Sequence, residues 1–99
     1  MVTVSEIQKI LNDAGISGEV EHGSIPQLIA VTIYWGDWKH DHGYLKYLMQ
    51  QQGLTHVNEE LLEEDGSDCY SAKHTFGEDH FVEGARKLFQ LHECTTLAG

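Results

Sequence analysis

Six carboxylates fall within the ten residues Glu59 to Asp68, and no lysine or arginine occurs between Lys46 and Lys73. A chain of 99 residues builds one core of modest size, and carboxylates are almost never fully buried unless paired. The run EELLEEDGSD must therefore face water or a positively charged partner. Two local structures compete for it. NEELLEED has helical propensity with Asn58 as a cap, but a helix ending at Asp65 is too short to be stable alone. Asp65-Gly66 is a strong tight-turn signal, and Cys69 to Phe76 reads as a returning strand. The run is therefore expected to form one hairpin whose tip projects beyond the core. Regular alternation would put Glu60, Leu62 and Glu64 on one face, and Glu59, Leu61 and Glu63 on the other.

The flanking segments supply the core. Thr3 and Glu6 have capping-box spacing, and Val4, Ile7, Leu11 and Ala14 repeat at helical spacing until Gly15. Glu19 to His22 reads as a short strand, with Gly23, Ser24 and Pro26 in the turn after it. Gln27 to Tyr34, QLIAVTIY, is apolar and rich in β-branched residues, which predicts a central strand. A second helix is expected from about Trp38 to Gln52, capped by Asp37 and ended by Gly53, with Tyr44, Leu45, Tyr47, Leu48 and Met49 on its apolar side. A third is expected from about Asp79 to Glu93, burying Phe81, Ala85, Leu88 and Phe89.

The resulting order, α-β-β-α-β-β-α, predicts an α+β protein. Its sheet would be four-stranded and mainly antiparallel, with helices packed on one face. Residues 1–99 read as a single domain. Setting Gly36 on Gly77 aligns Trp35–Asp37 with Phe76–Glu78, Gly43 with Gly84 and Lys46 with Lys87. That is a weak ββα duplication signal over 18–53 and 54–94, which convergent strand-to-helix junctions would also produce.

Sixteen acids against six Lys/Arg give a formal charge of −10. Such a chain repels nucleic acid and anionic membrane and attracts basic proteins. No direct nucleic-acid partner and no membrane partner is expected. Cys69 and Cys94 have no metal-ligand spacing, and the start MVTVSEIQKI lacks the charge and apolar run of a secretory leader. The expectation is a soluble cytoplasmic protein with free thiols. The seven histidines would bring the charge to about −3 if all were protonated, near or below their free pKa of ~6.5. They are expected to be solvated surface residues.

Tyr34 to Tyr44, YWGDWKHDHGY, is the densest polar-aromatic cluster. Trp35 and Trp38 either anchor the second helix on the sheet or stand exposed as a partner-binding hot spot. Asp37 and Asp41 would share a helical face, and with His40 and His42 they are the candidate metal ligands. The histidines lack the i, i+4 spacing of zinc-binding helices, and helix-start carboxylates usually cap. Cys69 with His56 or His74 could imitate a Cys/His nucleophile pair, but neighbouring carboxylates suppress the thiolate. Glu63, Asp65 and Asp68 around Gly66 offer oxygen ligands without EF-hand spacing. No motif calls for a cofactor.

The leading expectation is a non-enzymatic interaction module that binds a basic protein surface through Glu59, Glu60, Glu63, Glu64, Asp65 and Asp68, with Trp35 and Trp38. Carboxylates along a ribbon can imitate nucleic-acid phosphates and occupy a nucleic-acid groove on another protein. Small size and high acidity are shared, as a likeness of composition alone, with acidic inhibitors from phages and mobile elements. The alternatives are a metal- or ligand-binding protein or enzyme at Asp37, His40, Asp41 and His42, and an acidic secretion-type chaperone, which would make the chain a homodimer.

Overall fold

Thr3 opens the first helix. Its hydroxyl accepts the Glu6 backbone N–H at 3.1 Å and donates to the Glu6 carboxylate at 3.2 Å. The helix, α1, covers Val4–Ala14 and buries Ile7 and Leu11. Gly15 ends it in the left-handed region at φ 76°, which a residue with Cβ rarely adopts. A computed structural model describes residues 3–23, 25, 27–78 and 87 of the chain.

After α1 the chain forms strands β1 (Gly18–His22) and β2 (Leu28–Asp37), then a π-helical turn at Trp38–His42. Helix α2 (Gly43–Gln51) and strands β3 (Leu54–Glu64) and β4 (Cys69–Glu78) complete the described fold. The four strands form one sheet in the order β1-β2-β4-β3, and every neighbouring pair is antiparallel. The fold is α+β, as the sequence predicts. The expected third helix, 79–93, lies outside the described residues, apart from Lys87, which is helical.

Strand β2 is central because it can be buried on both faces. Ile29, Val31 and Ile33 point to the core with Ile7, Leu11, Leu45, Met49, Leu54 and Phe76. Leu28, Ala30 and Thr32 alternate with them, point the other way, and are buried too. Both described helices contribute to the one cluster, so both lie on the same face of the sheet. The expected apolar side of the second helix is narrower than the sequence suggests. Leu45 and Met49 are buried, whereas Tyr44 and Tyr47 are exposed and stack on each other.

The two sheet edges are treated differently. On β1 the Gln8 side chain acts as a surrogate strand. Its amide donates to Gly18 O at 3.1 Å and accepts from Val20 N at 3.2 Å. The outer half of β3, from Glu59 to Glu64, is exposed and carries charge instead, which discourages edge-to-edge pairing. The acidic run is thus a hairpin, as expected, with Asp65–Asp68 as its turn.

Three single-residue irregularities set the register. β2 is bulged between Ile33 and Gly36, and β3 is bulged between His56 and Asn58 and again between Leu61 and Glu63. The last one corrects the expected alternation. Glu63 lies opposite Ser71 and Glu60 opposite Lys73, so those two share a face. Glu59, Leu61 and Glu64 lie opposite His74, Ala72 and Tyr70 and share the face that carries the helices.

Candidate functional site

The strand-to-helix junction begins with a strained residue. Trp35 has φ 52°, uncommon for a bulky side chain, and its N–H donates to Ser71 Oγ at 3.0 Å. It is 47% exposed and Trp38 is 55% exposed, so neither is a buried anchor. Trp35 lines a cleft of about 230 Å³ with Tyr34, Gly36 and Asp41 among its walls. Gly36 sits where the junction folds onto β2. A Cβ there would lie 2.5 Å from Ile33 Cγ2 and 2.9 Å from Asp41 Cβ. Gly36→Ala is therefore expected to destabilise the fold by about 1–3 kcal/mol, as overpacking does. A lowered urea midpoint would show it; an unchanged one would mean the junction is looser than described.

The Asp37 carboxylate accepts N–H groups from His40 at 2.9 Å and Lys39 at 2.8 Å, which hold its pKa below the usual value. The Asp41 carboxylate accepts the Asp37 N–H at 2.7 Å. Both acids are thus engaged in capping the turn, and His40 is exposed. The π-helical turn then changes the direction of the next side chain. Gly43 N–H bonds back to Trp38 O, five residues earlier. The extra residue in that turn leaves His42 pointing at the sheet, only 1% exposed. Asp37, His40, Asp41 and His42 therefore do not converge as a ligand group.

His42 instead joins a buried histidine chain. Its ring stacks on Tyr70 with centroids 3.9 Å apart and planes 4° apart. Its Nε2 lies 3.0 Å from Tyr70 O, and its Nδ1 lies 2.8 Å from His74 Nε2. His74 is fully buried on β4, and its Nδ1 faces His56 Nε2 at 3.2 Å and Glu59 Oε1 at 3.3 Å. Lys46 Nζ approaches the same Glu59 oxygen at 3.6 Å. The expectation that the histidines are solvated is corrected: His42 and His74 are buried, and His56 is half-buried.

The carbonyl of Tyr70 fixes the protons along this chain, because a carbonyl oxygen only accepts. His42 Nε2 must carry a hydrogen, so in the neutral ring Nδ1 accepts from His74 Nε2–H. The neutral His74 ring then presents the lone pair of Nδ1 to His56 and Glu59. Burial, with His42, His56 and Lys46 nearby, drives the His74 pKa down to about 3. These effects outweigh the single carboxylate, so the His74–Glu59 contact is not an ion pair at neutral pH.

Sequence reasoning singled out His42 for another role, and His56 and His74 only as partners of Cys69. A signal for His74 was present: Tyr70, Ala72, His74 and Phe76 share one face of a strand, so parity places His74 among apolar neighbours. Cys69 has the opposite parity and stands at the far end of β4, with its N–H on Ser67 Oγ; no Cys/His pair forms there. Asp65 accepts the Ser67 N–H at 3.0 Å and serves the turn. Among the described residues, the side chains placed to share a cation are His56, Glu59 and His74, whose ligand atoms all lie within 4.8 Å of one another.

Of the predicted acidic and aromatic residues, Asp68 and Trp38 meet through the backbone. Trp38 N–H donates to Asp68 O at 3.0 Å, so the hairpin turn adjoins the start of the π-helical turn. Among the described residues no cation pairs with Glu60, Glu63, Glu64 or Asp68; the ion pairs are Lys46–Glu59 and Lys73–Glu21. No described helix is long and apolar enough to cross a membrane.

Fold and site together define an α+β protein with an acidic edge ribbon and a buried histidine chain beneath it. No family model, curated protein or solved structure matches the chain.

Proposed function

We propose that the chain is a protein-interaction module that presents its acidic ribbon to a basic protein surface. One observation carries this reading. The outer half of β3 is exposed on both faces of an edge strand and continues through the Asp65–Asp68 turn to the exposed Trp38. Glu60 and Glu63 stand on one face and Glu59 and Glu64 on the other. The ribbon is therefore negative whichever way it enters a groove. A nucleic-acid-binding groove suits it, because that surface is built to receive spaced negative groups. Trp38, beside the turn, supplies the apolar contact that long-range charge does not.

The ribbon should bind its partner at low salt and release it as ionic strength rises. The test is a pull-down from the native host at two salt concentrations, repeated with Glu60, Glu63, Glu64 and Asp68 all changed to Lys. Those side chains are exposed, so the variant should keep its circular dichroism spectrum and melting curve. Its affinity for the captured partner should fall by roughly 100-fold or more, since like charges placed opposite each other cost several kcal/mol. Capture of the same protein by the quadruple variant at undiminished affinity would sink the reading.

A further inference from the structure

We infer that His56, Glu59 and His74 form a binding site for a first-row divalent cation of the zinc type. The site arises from a bulge. His56 and Glu59 are three apart in sequence, and in a regular strand they would point to opposite faces. The extra residue between His56 and Asn58 restores their parity. It places both on the helix-bearing face, with Glu59 directly opposite His74. A bulge that re-aims a side chain beside a site is a recurring structural device.

Two of the three ligand spacings match a metal site, and the third pair, His56 and Glu59, lies within 4.8 Å. Zinc bonds to nitrogen and carboxylate oxygen are about 2.0–2.1 Å, so two ligands at a tetrahedral angle stand roughly 3.3 Å apart. His74 Nδ1 lies 3.2 Å from His56 Nε2 and 3.3 Å from Glu59 Oε1.

Proton counting points the same way. With His42 anchored on Tyr70 O, the His74 Nδ1 lone pair and the Glu59 carboxylate meet at one place. His56 Nε2–H serves the His74 lone pair at 3.2 Å, while the Lys46 ammonium stands 3.6 Å from the Glu59 oxygen. A divalent cation would serve all three atoms. His56 would then carry its proton on Nδ1, a change of tautomer that releases no proton. His42 is the positioning residue: it accepts from His74 Nε2–H and so holds the ligating nitrogen in place, as outer partners of metal-bound histidines do.

Two imidazoles and one carboxylate suit zinc or a neighbouring transition ion and disfavour magnesium and calcium, which prefer all-oxygen shells. A cleft of about 310 Å³, lined by Lys46, Gln50, Leu54, Thr55 and His56, adjoins the site and leaves room for water as a further ligand. Lys46 opposes the ion. Its side chain is 45% exposed and can withdraw to solvent, leaving Glu59 to the metal.

The test uses the full chain, untagged and stripped with EDTA. Zn²⁺ is titrated by calorimetry, and Co²⁺ is followed by its visible spectrum. One Zn²⁺ per chain should bind with micromolar affinity or tighter and raise the melting temperature. Co²⁺ should give the intense visible bands of a four-coordinate site. Glu59→Gln and His56→Asn alter residues that are not fully buried, and each should weaken binding by at least ~10-fold. His40→Asn, on an exposed histidine outside the set, should leave binding unchanged, and Lys46→Met should tighten it. The quadruple ribbon variant keeps Glu59 and should still bind zinc, so failure of this site and failure of the interaction reading are separable. Absence of stoichiometric binding, or binding that survives both Glu59→Gln and His56→Asn, overturns the assignment.

Discussion

His74→Ala is expected to destabilise the protein by about 4 kcal/mol. Truncating a large buried ring leaves a cavity, which costs about 3–5 kcal/mol for Phe→Ala, and the smaller imidazole should fall at the low end. The change also removes the partner of His42 Nδ1 at 2.8 Å and of His56 Nε2 at 3.2 Å. A buried polar atom left without a partner costs about 1–3 kcal/mol. A domain of this size has about 5–15 kcal/mol in total, so much of the stability would go. His74→Phe separates the two contributions, because it leaves no cavity and removes the hydrogen bonds, while its larger ring adds some crowding. It should cost about 1–3 kcal/mol. Urea unfolding of the metal-free proteins measures both, and a cost below about 1 kcal/mol for His74→Ala would show that the ring is not packed as described.

The second large effect is on acid stability. The native His74 pKa is about 3, and an unfolded histidine titrates near ~6.5. Between those values the unfolded chain binds the proton and the native protein does not. Stability is therefore complete above about pH 6.5 and is lost as pH falls. The loss approaches ~1 kcal/mol or somewhat more per pH unit, or roughly 3 kcal/mol by pH 4. The groups facing His74 are His42, His56, Lys46 and Glu59. Burial and the nearby His42, His56 and Lys46 disfavour the charged ring against the single carboxylate of Glu59, so the surroundings do not rescue it. Acid also reduces the net charge from −10 and relieves long-range repulsion, which acts in the opposite direction. That contribution is screened at 0.15 M salt, where the Debye length is about 8 Å. The buried ring should win. The deciding comparison is the slope of stability against pH for metal-free wild type and His74→Phe. Equal slopes would exclude His74 as the titrating group.

The elements themselves were legible, for local reasons. Thr3 with Glu6 and Gly15 bracket a helix whose ends are decided within a few residues of sequence. QLIAVTIY is apolar at nearly every position, which suits a strand covered on both sides. Asp65-Gly66 between two runs marks a turn. The acidic run could only be exposed, because no nearby sequence supplies the cations to bury it. The candidate surface was half legible in the same way: composition showed its charge, but not that the hairpin turn would meet Trp38.

The histidine site was not legible, because it depends on parity. In a strand the side chains alternate, so a single extra residue sends every later side chain to the opposite face. His56 reaches Glu59 and His74 only because of the extra residue between His56 and Asn58, and Glu63 and Glu64 exchange faces because of the one before Glu63. His42 turns inward only because the turn after Asp37 takes five residues to close its hydrogen bond instead of four.

What the sequence determined by itself was element type and the exposure of charge, since both follow from local propensity and the cost of burying a carboxylate. What the tertiary structure decided was register. A bulged and an unbulged strand differ little in local energy, so pairing with β4 and packing against α2 select between them. That selection brought His42, His56, Glu59 and His74 together.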